Sequence, residues 1–342
     1  MAATIQDVAK KAGVAIGTVS RAFNDYPDIR PETKERIVQA ARELGYTPNV
    51  SARNLSAKKP PNIGLIISGL LDGNNKDNLV YLVLQGALRY ATTHGLEIAM
   101  YATDSVEQQR QSYTEFCTQH SISGTILSGI TTDDAYFNEL MDSGIPTVAL
   151  DVPIFGENAG WVSVDNRAAA REAVEYLLAS GHREMMVVCG KRNAVVNSER
   201  IQGVMDAFGE AHMTALEGDC LYCDFSEETA YEKVAARLRA RRRAPDAIFC
   251  FSDVMALGVM RALREAGLRI PEDVSVVGFD GLPLCELTVP PLTSVFQDMR
   301  SMGYEAVALL HGIMEHRCQG GHRILPHRLV ERGTVRLMGK AG

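Results

Sequence analysis

The 342-residue chain is short of most features that would assign it to a membrane, a secreted scaffold or an enzyme. Its longest apolar run, Ile63 to Leu71, contains Gly64, Ser68 and Gly69 and falls far below the roughly 20 apolar residues that a membrane span requires. The first residues, Met1-Ala2-Ala3-Thr4-Ile5-Gln6-Asp7, have no basic stretch followed by an apolar one, so no export signal is read and the cytoplasm is the expected location. Seven cysteines, an odd number spread from Cys117 to Cys318, lack the pairing of a secreted framework and are expected as reduced thiols. Cys220-x-x-Cys223 has metal-ligand spacing, but no second CxxC or HxxxH accompanies it, so no metal site is expected. The patterns GxSxG, GxxxxGKS or GxxxxGKT, and GxGxxG are absent as well. A non-enzyme without a cofactor is the expectation.

What the chain does have is an ordinary globular balance, 46% hydrophobic and 23% charged, and enough length for two or three domains at roughly 150 residues each. Its charge is divided unevenly. The whole chain holds 35 basic and 42 acidic side chains, net −7. Residues 1–59 hold ten basic and six acidic ones, net +4, and the remainder holds 25 and 36, net −11. A basic head on an acidic body is expected where one module meets a polyanion.

The head reads as short helices. Thr4 with Asp7 forms a capping-box pattern that opens a helix to about Lys11, broken by Gly13. A second helix fits Ile16 to Asn24, with Val19, Ala22 and Phe23 on one face and Gly17, Ser20, Arg21 and Asn24 on the other. Pro31 opens a third that runs to Leu44 before Gly45 and Pro48. Two short helices joined by a glycine-containing turn form the helix-turn-helix unit, whose second helix lies in the major groove of DNA. The same pattern also suits a plain three-helix bundle. Arg21 offers a planar fork to guanine if that face is used and is otherwise a solvated cation.

Thr4-Ile5-Gln6-Asp7-Val8-Ala9 through Gly13-Val14, Thr18-Val19-Ser20-Arg21, Leu44-Gly45-Tyr46-x-Pro48-Asn49 and Ala52-Arg53-x-Leu55 closely resemble the LacI/GalR family of transcription regulators. The resemblance extends over essentially the whole chain. It implies a hinge helix over Asn49 to Ser56 that folds on operator DNA, with Leu55 wedged into the minor groove; an inserted apolar side chain kinks the duplex at a cost of a few kcal/mol per step. It implies base reading by Ile16 and Gly17 together with Arg21. Gly17 has no side chain to offer, so shape, or Ile16 on a thymine methyl, carries specificity there. The candidate DNA contacts are Thr4, Ile16, Gly17, Thr18, Ser20, Arg21, Asn24, Asn49, Ala52, Arg53 and Leu55. Ala15 replaces the family's usual serine and cannot cap its helix by a side chain, a loss of about 0.5 to 2 kcal/mol.

From Asn62 onward apolar runs alternate with helical patterns. Ile63 to Ser68, Glu97 to Ala102, Gly124 to Ser128, Thr147 to Asp151, Met185 to Cys189, Ala247 to Phe251 and Val274 to Phe279 read as buried parallel strands. Leu79 to His94, Arg167 to Gly181, Glu199 to Glu210 and Val254 to Gly267 read as helices between them. The order occurs twice and predicts two subdomains of doubly wound parallel sheet, facing each other across a ligand cleft. Arg237, Arg239, Arg241, Arg242 and Arg243 read as the basic end of a helix opened by Ser226-Glu227-Glu228.

By resemblance this body is a periplasmic-binding-protein-like effector domain. Val164-Asp165-Asn166, Arg200-Ile201-Gln202-Gly203, Ser252-Asp253-x-Met255-Ala256-Leu257-Gly258, Val276-Val277-Gly278-Phe279-Asp280 and Pro290-Pro291-Leu292-Thr293 match its motifs. The expected organisation is a head over 1–48, a hinge and linker over 49–60, and an effector domain over 61–338. Its N-lobe is placed at about 61–160 and 292–321 and its C-lobe at 161–291 and 322–338, with crossings near Gly160, Pro291 and Gly321. Independently of the family, Asp151 and Asp280 fall at strand ends and Arg200 opens a helix beyond a strand. Carboxylates beside a bidentate cation suit vicinal hydroxyls, which sugars present. The candidate effector contacts are Ser68, Leu70, Asp151, Arg200, Phe225, Ser252, Asp280 and Gln297. For Phe225 the resemblance implies stacking on the ligand. Ser252 replaces a common asparagine, and Gly69 to Asn74 lacks the family's aromatic pair.

The function these readings imply is a transcription regulator, a repressor in kind. It would act as a two-fold homodimer, formed through the N-lobe, on a near-palindromic operator, under the control of a carbohydrate effector. Replacement of that effector by a protein corepressor stays open. A sugar-binding uptake protein is opposed by the basic head.

Overall fold

A computed structural model describes residues 4–23, 29–44, 62–70, 79–213, 220–240 and 243–337. The chain divides into two compact units, Met1–Asn62 and Ile63–Gly342.

The first unit contains α1 (Ile5–Ala12), α2 (Ile16–Phe23) and α3 (Pro31–Leu44). Thr4 opens α1 with a reciprocal box: its hydroxyl donates to the Asp7 carboxylate at 2.6 Å, and the Asp7 N–H reaches that hydroxyl at 3.4 Å. Gly13, at φ 66°, takes the left-handed position that ends α1. Val8, Val19 and Ile37, one from each helix, are fully buried together, with Ala9, Ala12, Ala22, Ala40 and Ala41 filling the narrow space between axes. Small residues there let three short helices share one core.

The second unit is built twice on one plan. Its first sheet runs in the order β11-β5-β4-β3-β1-β2 and its second in the order β12-β10-β9-β8-β6-β7. The first comprises β1 (Asn62–Ser68), β2 (Glu97–Thr103), β3 (Gly124–Ser128), β4 (Thr147–Leu150), β5 (Ala159–Val164) and β11 (Gly321–Leu325). The second comprises β6 (Met185–Cys189), β7 (Cys220–Tyr222), β8 (Ala247–Cys250), β9 (Ser275–Asp280), β10 (Thr293–Gln297) and β12 (His327–Val330). The β1–β3, β3–β4, β4–β5 and β5–β11 pairs are parallel, as are β7–β6, β6–β8, β8–β9 and β9–β10, while β12 runs antiparallel to β10. Strands β3, β4, β6, β8 and β9 are buried almost throughout, as both-face coverage of a parallel sheet demands.

The connecting helices include α4 (Leu79–His94), α5 (Ser105–Arg110), α6 (Tyr113–Gln119), α7 (Ala135–Leu140), α8 (Asn166–Ala179), α9 (Val195–Glu210), α10 (Glu227–Ala240), α11 (Asp253–Glu265) and α12 (Met299–Met314). Helix α10 carries Glu227 and Glu228 in its first turn and Arg237 and Arg239 in its last, complementing the helix dipole. Helices α4 and α12 cross at two glycines. A Cβ at Gly86 would stand 1.8 Å from the Arg300 carbonyl oxygen, and one at Gly303 would stand 2.0 Å from that of Val83.

Two expectations are corrected. Sheet membership puts the lobe crossings at Asp165, Asp298 and Pro326, several residues after Gly160, Pro291 and Gly321. Gly160 is an interior residue of β5, where its bare backbone admits β11: a Cβ would lie 2.8 Å from the Gly321 carbonyl oxygen. Pro291 precedes β10 and Gly321 opens β11, so both strands complete their sheets before the chain crosses. The cysteines are not all reduced thiols either. Cys189 and Cys220 are joined as a disulfide with 6.5 Å between Cα atoms. The parallel register sets Val187 against Cys220 and Cys189 against Tyr222, so the two cysteines sit diagonally on adjacent strands, within disulfide reach.

Candidate functional site

In both sheets the strand order reverses beside the first strand, between β1 and β3 in one and between β6 and β8 in the other. Ligands in such sheets sit beyond the carboxyl ends at that reversal, because neighbouring connections leave to opposite faces and open a crevice. Here the two crevices face each other. A cavity of about 770 Å³ lies between them. Ser68 and Gly69 at the end of β1 and Ser128 to Thr131 at the end of β3 line one side; Lys191 after β6 and Ser252 after β8 line the other.

Of the residues expected at an effector site, Ser68, Asp151, Arg200, Phe225, Ser252, Asp280 and Gln297 all line this cavity. Leu70 does not; it packs on the core instead. Ser252 has a second task, since its hydroxyl accepts the Met255 N–H at 3.2 Å and caps α11. The sequence reading missed Thr131, Lys191, Val195 and Met302, which also line the cavity. The carboxyl-end rule applied to β3 and β6 reaches the first two. The others come from helices, whose cleft-facing side no local pattern marks.

Arg200 organises the charged floor. It is 3% exposed, its Nε donates to Asn166 Oδ1 at 2.9 Å, Nη1 donates to the Phe251 carbonyl, and the guanidinium carbon lies 3.6 Å from the centre of the Phe279 ring. Burial pulls its pKa down, while Asp280, Asp151 and Glu199 pull it back up; the group stays a cation. Burial raises the Asp151 pKa against the opposing effects of the Ser163 hydroxyl, which donates at 2.6 Å, and of Arg200. Asp280 accepts the Gln297 amide at 2.7 Å, and the buried Oε1 of Gln297 has no partner among the described residues. A carboxylate pair, a cation and a spare carbonyl oxygen thus converge on one space. Directional donors and acceptors of both kinds are what a polyol requires.

The backbone is strained at the same place. Seven described residues other than glycine have positive φ, and four of them, Asp151 (62°), Asp224 (53°), Phe225 (60°) and Asp280 (115°), line the cavity. Such conformations persist where the surrounding structure over-determines them and cluster at ligand sites. Phe225 lies flat against the backbone of Gly190, where a Cβ would meet its ring at 2.0 Å.

The first unit presents a different surface. Along α2, Ile16 is 47% exposed, Gly17 and Arg21 are exposed, and Thr18 and Ser20 are half-buried, opposite the buried Val19 and Ala22. A Cβ at Gly17 would meet nothing within 4 Å. Ala15 supplies only its carbonyl to the helix start, accepting the N–H groups of Thr18 and Val19. Thr4 has its hydroxyl engaged in the cap of α1. Asn24, Asn49, Ala52, Arg53 and Leu55, and with them the expected hinge helix, lie outside the described residues.

Comparison with known proteins decides the lineage. Residues 4–49 match the lacI family of bacterial regulatory proteins, and residues 174–335 match the periplasmic binding protein-like domain. The HTH-type transcriptional regulator CelR of Thermobifida fusca is 34% identical over 316 residues, covering 90% of this chain and 90% of its own. The chain belongs to the LacI family of transcriptional regulators. Among solved LacI-family structures, the lac repressor dimer bound to operator and the anti-inducer ONPF superposes with a TM-score of 0.85 at 26% identity, covering 98% of this chain and all of that one. A CelR–cellobiose complex gives a TM-score of 0.74 at 28% identity, covering 97% and 99%. Membership of this family of regulators, not of an enzyme family, agrees with the sequence reading. Among the described residues no helix is long and apolar enough to cross a membrane.

Proposed function

We propose that this LacI-family chain is a cytoplasmic repressor that binds a near-palindromic operator as a homodimer and changes its affinity when a carbohydrate enters the cleft of the second unit. The observation that carries the ligand half is Arg200, buried and held between Asp151 and Asp280 beside the unpartnered Gln297 oxygen. Two relatives support it: one was solved with cellobiose, the other as a dimer on operator. In this reading Arg200, Asp280 and Gln297 bond ligand hydroxyls, with Asp151, Ser252 and Ser68 around them and Phe225 against a sugar face. On the DNA side, Ile16, Gly17 and Arg21 face base edges and Thr18 and Ser20 face phosphates. Asn24 joins the contacts of the second helix, and Leu55 is the minor-groove wedge, while Asn49, Ala52 and Arg53 hold the backbone around it. The lobes pivot about Asp165, Asp298 and Pro326, and the coupling between the two sites amounts to about 1 to 3 kcal/mol.

The test is operator selection from random duplexes with the full chain, followed by anisotropy titration across salt and a sugar panel. A palindromic consensus, a steep salt slope and a sugar-dependent Kd are expected. Binding without sequence preference would remove the repressor reading, and a Kd indifferent to every sugar would remove the effector.

A further inference from the structure

A second cavity, of about 530 Å³, opens beside the first and shares Lys191 and Asp224 with it. Its wall is basic. Among the described residues, Lys191, Arg192 and Lys233 face a single carboxylate, Asp224, in a body that carries net −11. Among the described residues, the side chains of Lys191 and Arg192 make no hydrogen bond or ion pair. Arg192 is instead fixed by stacking, its guanidinium carbon 3.7 Å from the centre of the Tyr222 ring, which leaves its N–H fork unspent. Lys233 donates to the Tyr222 carbonyl at 2.5 Å, and Tyr222 stands on β7, the strand that the Cys189–Cys220 disulfide ties to β6. Like charges brought together without counter-charges repel one another, so an arrangement that holds them in place suits an arriving anion. A stacked guanidinium with free donors and an ammonium beside it match a tetrahedral or planar oxyanion.

We infer that the effector is an anionic sugar, a phosphate ester or a sugar acid, whose hydroxyls lie at Arg200, Asp280 and Gln297 and whose oxyanion lies on Lys191, Arg192 and Lys233. The inference rests on the cleft being the effector site. Lys191, which borders both cavities, marks where the polyol ends and the charge begins. The deep floor, with Asp151 and Asp280 about one Arg200, rejects an anion, so the ligand has only one orientation.

The experiment is calorimetric titration of the full chain with matched sets: glucose, glucose 6-phosphate and glucuronate; cellobiose and cellobionate; and inorganic phosphate alone. An anionic member is expected to bind at least tenfold more tightly than its neutral parent, with the preference shrinking as salt rises. Preference for the ester over the acid, or the reverse, identifies which oxyanion the pocket takes. In a Lys191→Gln/Arg192→Gln variant the ratio of anionic to neutral affinity should fall below twofold, and because both affinities are measured on one protein, a general loss of stability cancels. A neutral sugar that binds as tightly as its anionic partners overturns the inference and leaves the cleft reading standing, as does a ratio that survives the double substitution. A panel in which nothing binds overturns the cleft reading and the inference with it.

Discussion

The two lobes share one strand order and opposite cleft linings. The first contributes Ile67, Leu79, Val80, Val83, Ile130, Leu150, Val152, Met299 and Met302, with a few hydroxyls and Asp151. The second contributes Lys191, Arg200, Asp224, Ser226, Thr229, Ser252, Asp280 and Gln297, beside the apolar Ala194, Val195, Val196 and Phe225. Duplicated topology therefore does not mean duplicated chemistry. An apolar wall excludes water and raises the strength of every polar contact opposite it, while the polar wall chooses the ligand. On the proposed reading, one lobe closes the site and the other discriminates.

The largest break in that comparison is Arg200→Ala. It leaves Asp151 and Asp280 buried without their cation, and loss of one partner from such a buried charge set costs about 3 to 5 kcal/mol. Urea unfolding should show the loss, and sugar titration should show no response at any concentration at which the variant remains folded. Retained response would move discrimination out of the second lobe. Met302→Ala probes the first lobe. Met302 is 1% exposed and lines the cavity, so truncation costs about 2 to 4 kcal/mol of stability through lost packing. Ligand affinity should drop while the ranking of sugars stays the same. A changed ranking would show that the apolar wall also selects.

How much of this was legible beforehand follows the range of the interactions. The helices of the head and the strands β1, β3 and β6 announce themselves locally, through Thr4 and Asp7, Pro31, and unbroken apolar runs such as Met185 to Cys189. Strands β5, β7, β10, β11 and β12 carry no such run. Cys220–Tyr222 is three half-buried residues, and Gly321–Leu325 is largely exposed; both are strands only because a neighbour is there to pair with. The charged floor was readable because Asp151 and Asp280 sit at strand ends and Arg200 stands on the helix that follows β6. The basic pocket was not, because Lys191, Arg192 and Lys233 are separated by some forty residues and meet only through β6, β7 and α10.

A smaller effect is tied to pH and to the second lobe alone. Burial pushes the Asp253 pKa up to about 6, although the Ser294 hydroxyl donates to it at 2.6 Å and the Leu282 N–H at 2.7 Å. These bonds join the start of α11 to the turn after β9 and to β10, under Asp280. In the unfolded chain the carboxyl titrates near 3.8. Between that value and 6 the folded protein binds the extra proton, so this group makes stability fall as pH rises from 4 to 6 and leaves it flat above. Comparing urea midpoints at pH 4.5 and 6.5 for the wild type and Asp253→Asn isolates the slope, which the variant should lose. An unchanged slope would assign it to another carboxyl.

The smallest expected effect lies where the lobes touch. The amide of Asn193, after β6, donates to Thr131 Oγ1 at 3.3 Å and to Asp133 Oδ2 at 3.1 Å, both after β3, so one side chain of the discriminating lobe holds the mouth of the closing lobe. Bonds of this kind at a solvated rim contribute about 1 kcal/mol. Asn193→Ala should leave the unfolding midpoint within error, since neither lobe loses a core contact, yet weaken sugar binding about fivefold through faster release. Trp161, the single tryptophan, stacks on His322 of β11 beside the crossing at Asp165 and gives the fluorescence signal for stopped-flow measurement of that rate. If the release rate is unchanged, the apolar wall holds the lobes together without the latch, and closure belongs to the first lobe alone.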